Sequence, residues 1–441
     1  MPDLARNHAV VIGAGMAGLT AAQAISRHFG KVTIIERDVL PAEAAPRSGT
    51  PQAQHAHALL AGGLKALQTL FPGFENDLAE AGAVKIRTGK DIRWERPGFD
   101  PFPIRELGID VFCMSRPLLE VVTRRRVQQS PNVNICERAR VTRLVASRDA
   151  MRVEAVRYDS EDGPGVTLEA DLVVEASGSC GLTLKLLDEL SLPKPEETEI
   201  GMDQAYASTI VERPIDHSAD WLGNIILPFA PASSRGALLF PIEKQRWLLS
   251  IGGNHGDVPP GDRAGFMDFV RSLRTSTIYD AVRDARPLTD IVRYQLPCST
   301  RRHFERLESF PAGLLAIGDA LCRFNPVFGQ GMSVAAQEAL ILDRLLSEDL
   351  PMGRLARDFF AAIQDTLATP WGVAVSDFVY PATRGVRPAD LAQRLQYGIA
   401  LTKLAAQDPE VHRLTAEVSQ LLKPQAVLRE PALAARVMSM M

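Results

Sequence analysis

Three glycines near the start of the chain are spaced so that a backbone turn could bind a phosphate. Gly13, Gly15 and Gly18 form a G-x-G-x-x-G motif that follows the apolar stretch 8–12 and precedes an alanine-rich stretch. In a strand–turn–helix unit the first glycine allows a tight turn, and the second lets the backbone approach a pyrophosphate. The third lets the helix pack closely on the strand. The free N–H groups at the helix start favour an anion there.

An acid at the end of the next predicted strand completes the pattern. Glu36 follows the apolar run 31–35, about twenty residues after the turn, where a carboxylate accepts hydrogen bonds from ribose hydroxyls. The segment therefore predicts a βαβ unit that binds adenosine with a free 2′-hydroxyl, which both FAD and NAD contain. We include Met16 and Ala17 inside the turn, and Arg37 beside the acid, in the predicted cofactor site.

A second cluster far along the chain decides between the two cofactors. An apolar run ends in Gly-Asp, and an Asn-Pro…Gly-Gln-Gly-Met segment follows before another alanine-rich stretch. An acid at a strand end can hold a ribityl hydroxyl, and N–H groups at a helix start can bind a ring edge or a phosphate. NAD has no ribityl chain that needs so distant an anchor, so the cluster favours FAD. Its residues are Gly318, Asp319, Asn325, Pro326, Gly329, Gln330, Gly331 and Met332.

The elements that position these residues predict an α/β fold. Strand and turn patterns fill much of 133–174 and 200–300, and the chain from 337 onward is helical, with interruptions near Pro370, Pro381 and Pro388. We predict a Rossmann-type FAD-binding domain with an inserted, mainly antiparallel β-sheet substrate domain and a C-terminal helical region. The predicted boundaries are 1–71, 111–181 and 298–345 for the first domain, 72–110 and 182–297 for the second, and 346–441 for the helices.

Composition excludes several classes of protein. With 49 basic and 53 acidic residues the net charge is −4, and the basic run 124–126 is most simply a solvated helix face, so no nucleic acid partner is expected. We find no signal-peptide layout and no apolar run long enough for a transmembrane helix. The five cysteines are scattered, which indicates reduced thiols rather than disulfides or a metal site. These features predict a cytoplasmic protein without a bound metal.

Taken together, these segments resemble the FAD-dependent monooxygenases of the aromatic-hydroxylase type, and in particular their epoxidase-like relatives. The resemblance spans about residues 8–345 in the family's order. Segment 51–60 resembles the family's flavin-adjacent loop and helix. Segment 115–119 resembles the helix whose arginine, here Arg116, contacts the cofactor. Segment 171–178 resembles the family's mid-chain strand, which implies that Ala176 and Gly178 lie beside the cofactor.

The sequence departs from the family's patterns in one strand and lacks a motif of its relatives. Many single-component hydroxylases have an Asp-Gly pair in the mid-chain strand that is linked to both FAD and NAD(P)H, whereas this chain has Glu-Ala-Ser-Gly at 175–178. Electrons therefore come either from NAD(P)H directly or through a separate flavin reductase. The W-x-W-x-I-P segment of the related flavin halogenases is missing, which disfavours halogenation.

The resemblance implies epoxidation or hydroxylation of a lipophilic small molecule, in secondary metabolism, by O₂ activated as a flavin hydroperoxide. The protein must then position the substrate and exclude water, so no catalytic triad is needed. Asn325 and Pro326 are expected near the face of the flavin where oxygen adds. Arg47 is a candidate to neutralise charge on cofactor or substrate. His55 is a candidate to hydrogen-bond the flavin or relay a proton, with a packed helix-terminal histidine as the equal alternative.

Two other functions remain open from the sequence. The same scaffold supports an FAD-dependent dehydrogenase or reductase that acts on a prenyl-type or polyketide substrate, without incorporating oxygen. It also supports a flavin-binding protein without enzymatic activity. The C-terminal helices are expected to pack on the main body, with a lid or a membrane-surface contact as the alternative.

Overall fold

The computed structural model describes residues 6–161, 163–214, 219–348 and 350–441. The predictions that concern residues 1–5, 162, 215–218 and 349 lie outside the described residues. The described strands are β1 (His8–Ile12), β2 (Lys31–Ile35), β3 (Val84–Arg87), β4 (Ile92–Glu95), β5 (Asp110–Cys113), β6 (Val133–Cys136), β7 (Arg140–Ala146), β8 (Val153–Ser160), β9 (Gly163–Glu169), β10 (Leu172–Glu175), β11 (Glu197–Ile200), β12 (Gln204–Glu212), β13 (Gly223–Ile226), β14 (Gly236–Ile242), β15 (Arg246–Gly253), β16 (Val292–Leu296), β17 (Ser299–Arg302), β18 (Leu314–Ala316) and β19 (Cys322–Arg323).

Helices flank the strands and make up most of the C-terminal region. They are α1 (Met16–Ser26), α2 (Ala61–Leu70), α3 (Phe74–Glu80), α4 (Arg116–Val127), α5 (Gly181–Glu189), α6 (Arg263–Arg271), α7 (Thr277–Val282), α8 (Gly331–Ser347), α9 (Leu355–Ala362), α10 (Gln364–Ala374), α11 (Leu391–Gln407), α12 (Pro409–Ser419) and α13 (Pro431–Met438). No helix in these described ranges is long and apolar enough to cross a membrane.

A parallel sheet in the order β18-β10-β1-β2-β6 forms the centre of the cofactor-binding region. Apart from the edge strand β6, its strands are mainly apolar because both of their faces are buried, as in other parallel sheets. Helices α1 and α8 pack against each other on this sheet. The carboxyl ends of parallel strands meet at one edge, where ligands bind in open α/β sheets. The glycine turn, Glu36 and the Gly-Asp pair all lie at that edge.

The second large sheet has the order β16-β12-β15-β14-β13-β4. Its pairs are antiparallel except β13 with β4. One face packs on α6 and α7 through a cluster that includes Trp247, Phe266 and Ile278. The architecture confirms the predicted fold class of a Rossmann-type unit, an inserted and mainly antiparallel sheet, and C-terminal helices.

Smaller sheets connect the two regions. Strand β11 pairs with β17, which pairs with β19, so this sheet joins two predicted domains across the boundary at 298. Strand β3 pairs with β5 near the boundary at 110–111. The division of the chain into three domains at the stated boundaries therefore stays a prediction.

Two details of the helices correct the sequence interpretation. Pro370 lies inside α10 rather than interrupting it, because burial of Leu367, Thr369 and Pro370 compensates for the one backbone hydrogen bond that proline removes. Segment 51–60, which resembles a flavin-adjacent loop and helix, contains a 3-10 turn at Pro51–Gln54 but no α-helix, and α2 begins at Ala61. The preceding backbone donates to side chains elsewhere, Ala56 N to Ser250 Oγ at 2.8 Å and Leu60 N to Ser333 Oγ at 3.0 Å.

Candidate functional site

The three glycines of the first turn have three different structural requirements. Gly13 has φ +100°, which L side chains rarely adopt, and its N–H donates to Ile35 O at 2.9 Å. A Cβ on Gly18 would lie 1.8 Å from Gly13 O, so α1 can approach the turn only without a side chain there. A Cβ on Gly15 would meet no protein atom within 4 Å. Gly15 therefore leaves space at the start of α1 that a ligand can use.

Glu36 is held rigidly at the end of β2. Its Oε2 accepts from Ala14 N at 2.7 Å and its Oε1 from Asp38 N at 3.0 Å. Arg47 lies 3.3 Å from Glu36 Oε2, and it also pairs with Asp38 Oδ2 at 2.9 Å and with Glu120 Oε1 at 2.7 Å. Three carboxylates thus surround the Arg47 guanidinium. We expected Arg47 to neutralise charge on cofactor or substrate, whereas in the structure its charge is paired with these three acids.

Arg116 is the first residue of α4, and the side chain of Ser115 caps the start of this helix. Ser115 Oγ accepts from Leu118 N at 3.3 Å. Arg116 is buried, its Nη2 lies 3.3 Å from Glu120 Oε2, and its Nη1 has no hydrogen-bond partner among the described residues. A buried guanidinium N–H without a partner is costly unless a ligand accepts from it.

These residues line an elongated cavity of ≈ 460 Å³, here called the cofactor cavity. It runs from Glu36 and Arg37 past the glycine turn and Arg116 to the segment around Asn325. The predicted residues that line it are Gly13, Gly15, Met16, Ala17, Glu36, Arg37, Arg47, Arg116, Ala176, Gly178, Gly318, Asp319, Asn325, Pro326, Gly329, Gln330, Gly331 and Met332. Of the predicted site residues, Gly18 is not among those that line this cavity, and His55 lines a second cavity.

The lining fits FAD. Three buried polar atoms in the lining residues, Arg116 Nη1, Arg323 Nε and Gln330 Oε1, have no hydrogen-bond partner within the described chain and are available to a ligand. Asp319 lies in the wall of this cavity. Burial raises the pKa of Asp319, whereas the positive charges of Arg323 and Arg116 lower it. Arg116 would hold the anionic part of FAD, Asp319 the ribityl chain and Gln330 the ring edge.

A buried acid accepts a hydrogen bond from the backbone of the Gly-Asp pair. Glu338, on α8, accepts from Gly318 N at 2.8 Å through Oε2, while its Oε1 has no described partner. Burial raises the pKa of Glu338 to about 8, an effect that the hydrogen bond from Gly318 opposes. At neutral pH Glu338 is therefore mainly a protonated acid, which avoids a second negative charge beside Asp319.

A second cavity of ≈ 370 Å³, here called the substrate cavity, adjoins the first. Apolar side chains from the antiparallel sheet, such as Ile225 and Phe240, form much of its wall, and Ile86 and Val111 add to it. Residues of the C-terminal region, among them Asp377 and Tyr380, also line this cavity. The two cavities share a wall that consists of Gln52, His57, Ala58, Asn325, Pro326, Gly329 and Gln330.

The shared wall is fixed by local hydrogen bonds and close packing. Asn325 Oδ1 accepts from Val327 N at 3.1 Å, and its Nδ2 donates to Asp377 Oδ2 at 3.1 Å. Gly329 has φ +65°, and a Cβ on it would lie 2.9 Å from the Cβ of Ala58. The turn between Pro326 and Gln330 therefore approaches segment 55–60 closely, and both segments face the two cavities.

His55 lies in the wall of the substrate cavity. Its Nδ1 is 2.7 Å from Ser208 Oγ, which is 2.5 Å from Ser250 Oγ. Its Nε2 is buried without a described partner, and its ring meets the Tyr206 ring edge-on at 4.9 Å. Burial lowers the pKa of His55 to about 4, so the imidazole is neutral near pH 7 and does not titrate there as its type alone suggested.

A family model described as FAD binding domain matches residues 6–353. The chain belongs to this family. Protein Rv3254 of Mycobacterium tuberculosis (strain ATCC 25618 / H37Rv) is 31% identical over 415 residues, which cover 87% of this chain and 84% of that protein. Squalene epoxidase 3 of Arabidopsis thaliana is 24% identical over 355 residues, or 77% of this chain. The match spans 59% of the length of that epoxidase.

Solved structures share the family's fold. The flavin-dependent brominase Bmp2 superposes with a TM-score of 0.70 at 15% identity, covering 98% of each chain. PqsL of Pseudomonas aeruginosa, solved in complex with 2-aminobenzoylacetate, gives a TM-score of 0.61 at 15% identity and covers 85% of this chain and 99% of that one. The family matches confirm the predictions that the chain binds FAD and is an oxidoreductase of the FAD-dependent monooxygenase family.

Several cavity residues were not predicted from the sequence. Arg140 and Arg323 line the cofactor cavity. The position of Arg323 between the Gly-Asp and Asn-Pro motifs could have indicated from the sequence that it belongs to the site. Glu175, which replaces the family's aspartate, is not among the residues that line this cavity. It is fully buried and accepts a hydrogen bond from Thr183 N at 2.8 Å, in the first turn of α5. Asp377 and Tyr380 line the substrate cavity, and no local motif indicates them.

Proposed function

We propose that this protein transfers one oxygen atom from O₂ to a lipophilic small molecule bound in the substrate cavity. The observation that supports this most directly is the wall shared by the two cavities. Asn325, Pro326 and Gln330 belong to the segment expected to border the flavin, and each of them also faces the substrate cavity. A substrate in the second cavity would therefore lie next to the reactive part of the cofactor.

FAD, when bound, supplies the electron transfer and the activation of oxygen. The task of the protein is to orient the substrate and exclude water. The apolar lining around Ile225 and Phe240 suits both tasks, since it binds apolar groups and offers water few partners. The hydrogen bonds of Asn325 fix the wall between cofactor and substrate.

We assign His55 a role as a neutral hydrogen-bonding group in the substrate cavity. Its Nδ1 is engaged by Ser208, which leaves Nε2 for a substrate group or a bound water. A pKa of about 4 makes protonated His55 rare at neutral pH. The tautomer that places a proton on Nε2 would donate a hydrogen bond there, whereas the other tautomer would accept one.

We propose that electrons come from NAD(P)H, either directly or through a separate flavin reductase. The position of Glu175 supports the second route, because its carboxylate is occupied at the start of α5 rather than facing the cofactor cavity. Oxidation of NADH and NADPH by the purified holoprotein, with and without an added flavin reductase, distinguishes the two routes.

Labelled oxygen provides the decisive test. The reduced holoprotein is mixed with ¹⁸O₂ and candidate lipophilic substrates, and the products are analysed by mass spectrometry. One ¹⁸O atom per product molecule is the expected result, and parallel reactions in H₂¹⁸O serve as the control for exchange. Epoxide and hydroxylated products are distinguished in the same spectra. Substrate oxidation or reduction without the label would instead support the alternative, an FAD-dependent dehydrogenase or reductase of a prenyl-type or polyketide substrate.

A further inference from the structure

One carboxyl group lies in the wall of the otherwise uncharged substrate cavity. Asp377 belongs to a short 3-10 turn after α10, and it is 6% exposed. Among the described residues that line this cavity, no lysine, arginine or second acid is present. Asp377 is therefore the group in this wall with the greatest capacity to bind a polar part of a ligand.

The hydrogen-bonding capacity of Asp377 is mostly unused. Its Oδ2 accepts from Asn325 Nδ2 at 3.1 Å. No other side-chain or backbone donor in the described chain bonds this carboxyl, and no cation pairs with it there. A carboxylate has about four acceptor positions, and burial without partners disfavours its charge. Consistently, burial raises the pKa of Asp377 to about 6, although the hydrogen bond from Asn325 opposes this.

The backbone of Asp377 is fixed independently of its side chain. Its carbonyl accepts from Thr383 Oγ1 at 2.7 Å and from Tyr380 N at 3.2 Å. The nearby titratable groups face other partners. Tyr380 donates to Ser233 O at 3.2 Å, and burial raises the pKa of Tyr380 to about 12. His255 bonds Thr383 at 3.1 Å. The carboxyl of Asp377 thus has a defined position that does not depend on an internal ion pair.

Asn325 connects this carboxyl to the shared wall. Asn325 lines both cavities, while Asp377 lines only the substrate cavity. A ligand bonded to Asp377 is therefore held one hydrogen bond away from the segment that borders the cofactor. We infer that Asp377 anchors the substrate by accepting a hydrogen bond from a hydroxyl or amine group on an otherwise apolar molecule, an inference that rests on the proposed function and adds the class of substrate.

The experiment measures equilibrium binding of three probes to the oxidised holoprotein, by calorimetry and by perturbation of the flavin absorption spectrum. The probes are 1-decanol, decyl methyl ether and decylamine. They share an apolar chain, but the ether lacks a hydrogen-bond donor. We expect the wild-type protein to bind the alcohol about 10-fold more tightly than the ether, as a hydrogen bond to a charged acceptor implies. The amine tests whether a cationic donor is preferred over a neutral one.

Two variants separate anchoring from support of Asn325. Asp377→Leu removes the acceptor, and we expect it to bind the alcohol and the ether equally. Asp377→Asn retains an acceptor for Asn325 and for a hydroxyl, so we expect a reduced preference for the alcohol and loss of any preference for the amine. Asp365→Asn, an exposed acid at the start of α10, is the matched control and should bind all three probes as the wild type does.

Equal affinity of the wild-type protein for alcohol and ether would overturn the inference, and so would a Kd above about 1 mM for every probe. An unchanged alcohol preference in Asp377→Leu would do the same. Binding to the oxidised holoprotein does not require oxygen transfer. A clear preference for the alcohol over the ether without ¹⁸O incorporation would therefore contradict the proposed function while leaving Asp377 as the anchor. Incorporation without any such preference would contradict only the anchor.

Discussion

The cofactor cavity and the substrate cavity share a wall, yet they differ sharply in charge. The first is lined by acids and arginines, namely Glu36, Arg37, Arg47, Arg116, Arg140, Asp319 and Arg323. Within the described chain, the second has Asp377 as its one carboxyl and no arginine or lysine. The contrast follows from the elements that build each cavity.

The cofactor cavity lies where several parallel strands end and helices begin. Free N–H groups at helix starts, together with polar loops, favour anionic and hydroxylated ligands at such an edge. The substrate cavity lies between the antiparallel sheet, segment 55–60 and the C-terminal region. A sheet face with alternating side chains presents apolar groups there. We therefore expect charge to position the cofactor, and the apolar wall to select the substrate and exclude water.

The largest effect is expected from the glycine turn of the cofactor cavity. Gly18→Ala places a Cβ 1.8 Å from Gly13 O, so α1 must move away from the turn. We expect this variant to be purified without FAD and to unfold at lower temperature, since overpacking costs about 1–3 kcal/mol or more. FAD content and thermal unfolding measure both effects.

Gly15→Ala is the matched control for that variant. Its Cβ would meet no protein atom within 4 Å, so the stability of the apoprotein should remain that of the wild type. FAD affinity should nevertheless fall, because the pyrophosphate is expected to approach this residue. A Gly18→Ala protein that retains FAD and wild-type stability would show that the helix does not need this close approach.

Glu338 tests whether the cofactor cavity tolerates further negative charge. Its folded pKa, about 8, is raised above the ordinary value of 4.5, so its protonated form stabilises the fold. That contribution is complete below pH 4.5 and is lost as the pH rises toward 8. Between pH 5 and 8 the wild-type protein should therefore lose about 3 kcal/mol of its free energy of unfolding. Glu338→Gln has no carboxyl at this position and should not show this loss. Urea unfolding of the holoprotein measures this difference.

The control for Glu338 lies at the C-terminal end of the same helix. Glu348→Gln removes an exposed acid at the C-terminus of α8, and its stability should follow the wild-type pH profile. If Glu338→Gln shows the same profile as Glu348→Gln, Glu338 is not a buried protonated acid.

Arg116→Ala should weaken FAD binding without unfolding the protein. Because Arg116 Nη1 has no described protein partner, a hydrogen bond from it to an anionic ligand is expected to contribute about 2 kcal/mol, or about 30-fold in Kd. Fluorescence titration of the apoprotein with FAD measures the change. Arg125→Ala, an exposed residue on the same helix that pairs with Glu43, should bind FAD normally, and equal affinities for the two variants would contradict the assignment.

The smallest effect is expected from His55 in the substrate cavity. Burial lowers the pKa of His55 to about 4, so its neutral form stabilises the fold above pH 6.5. This contribution is lost as the pH falls from 6.5 toward 4, because the unfolded chain binds the proton more strongly. Between pH 7 and 5.5, His55→Gln should lose about 1 kcal/mol less stability than the wild type. Parallel profiles for the two proteins would show that His55 is not buried as a neutral base.

Most of the cofactor cavity could be predicted from short motifs. The residues of the glycine turn, Glu36 and the segment from Gly318 to Met332 act through local backbone geometry and through their positions at strand ends. Parallel strands bring such ends together wherever the βαβ pattern is present. The prediction failed to include Arg140, whose position depends on a strand that enters the edge from another sheet.

The substrate cavity was far less predictable. Asp377 and Asn325 are distant in sequence, and no periodicity relates the 3-10 turn after α10 to the segment expected to border the flavin. The low pKa of His55 was also not apparent, since it results from burial against Tyr206 and the antiparallel sheet. The sequence suggested a histidine with a pKa near neutral pH, whereas burial in the tertiary structure lowers that pKa to about 4.

The sequence by itself determined the cofactor, the family and the fold class, because these depend on glycine positions, strand ends and helix starts within short segments. Only the tertiary structure decided which side chains meet in the substrate cavity and which buried groups are charged. The physical reason is that cavities and pKa values depend on packing between distant segments, here the inserted sheet, the loop before α2 and the turn after α10. Local patterns contain no information about which of these segments face one another.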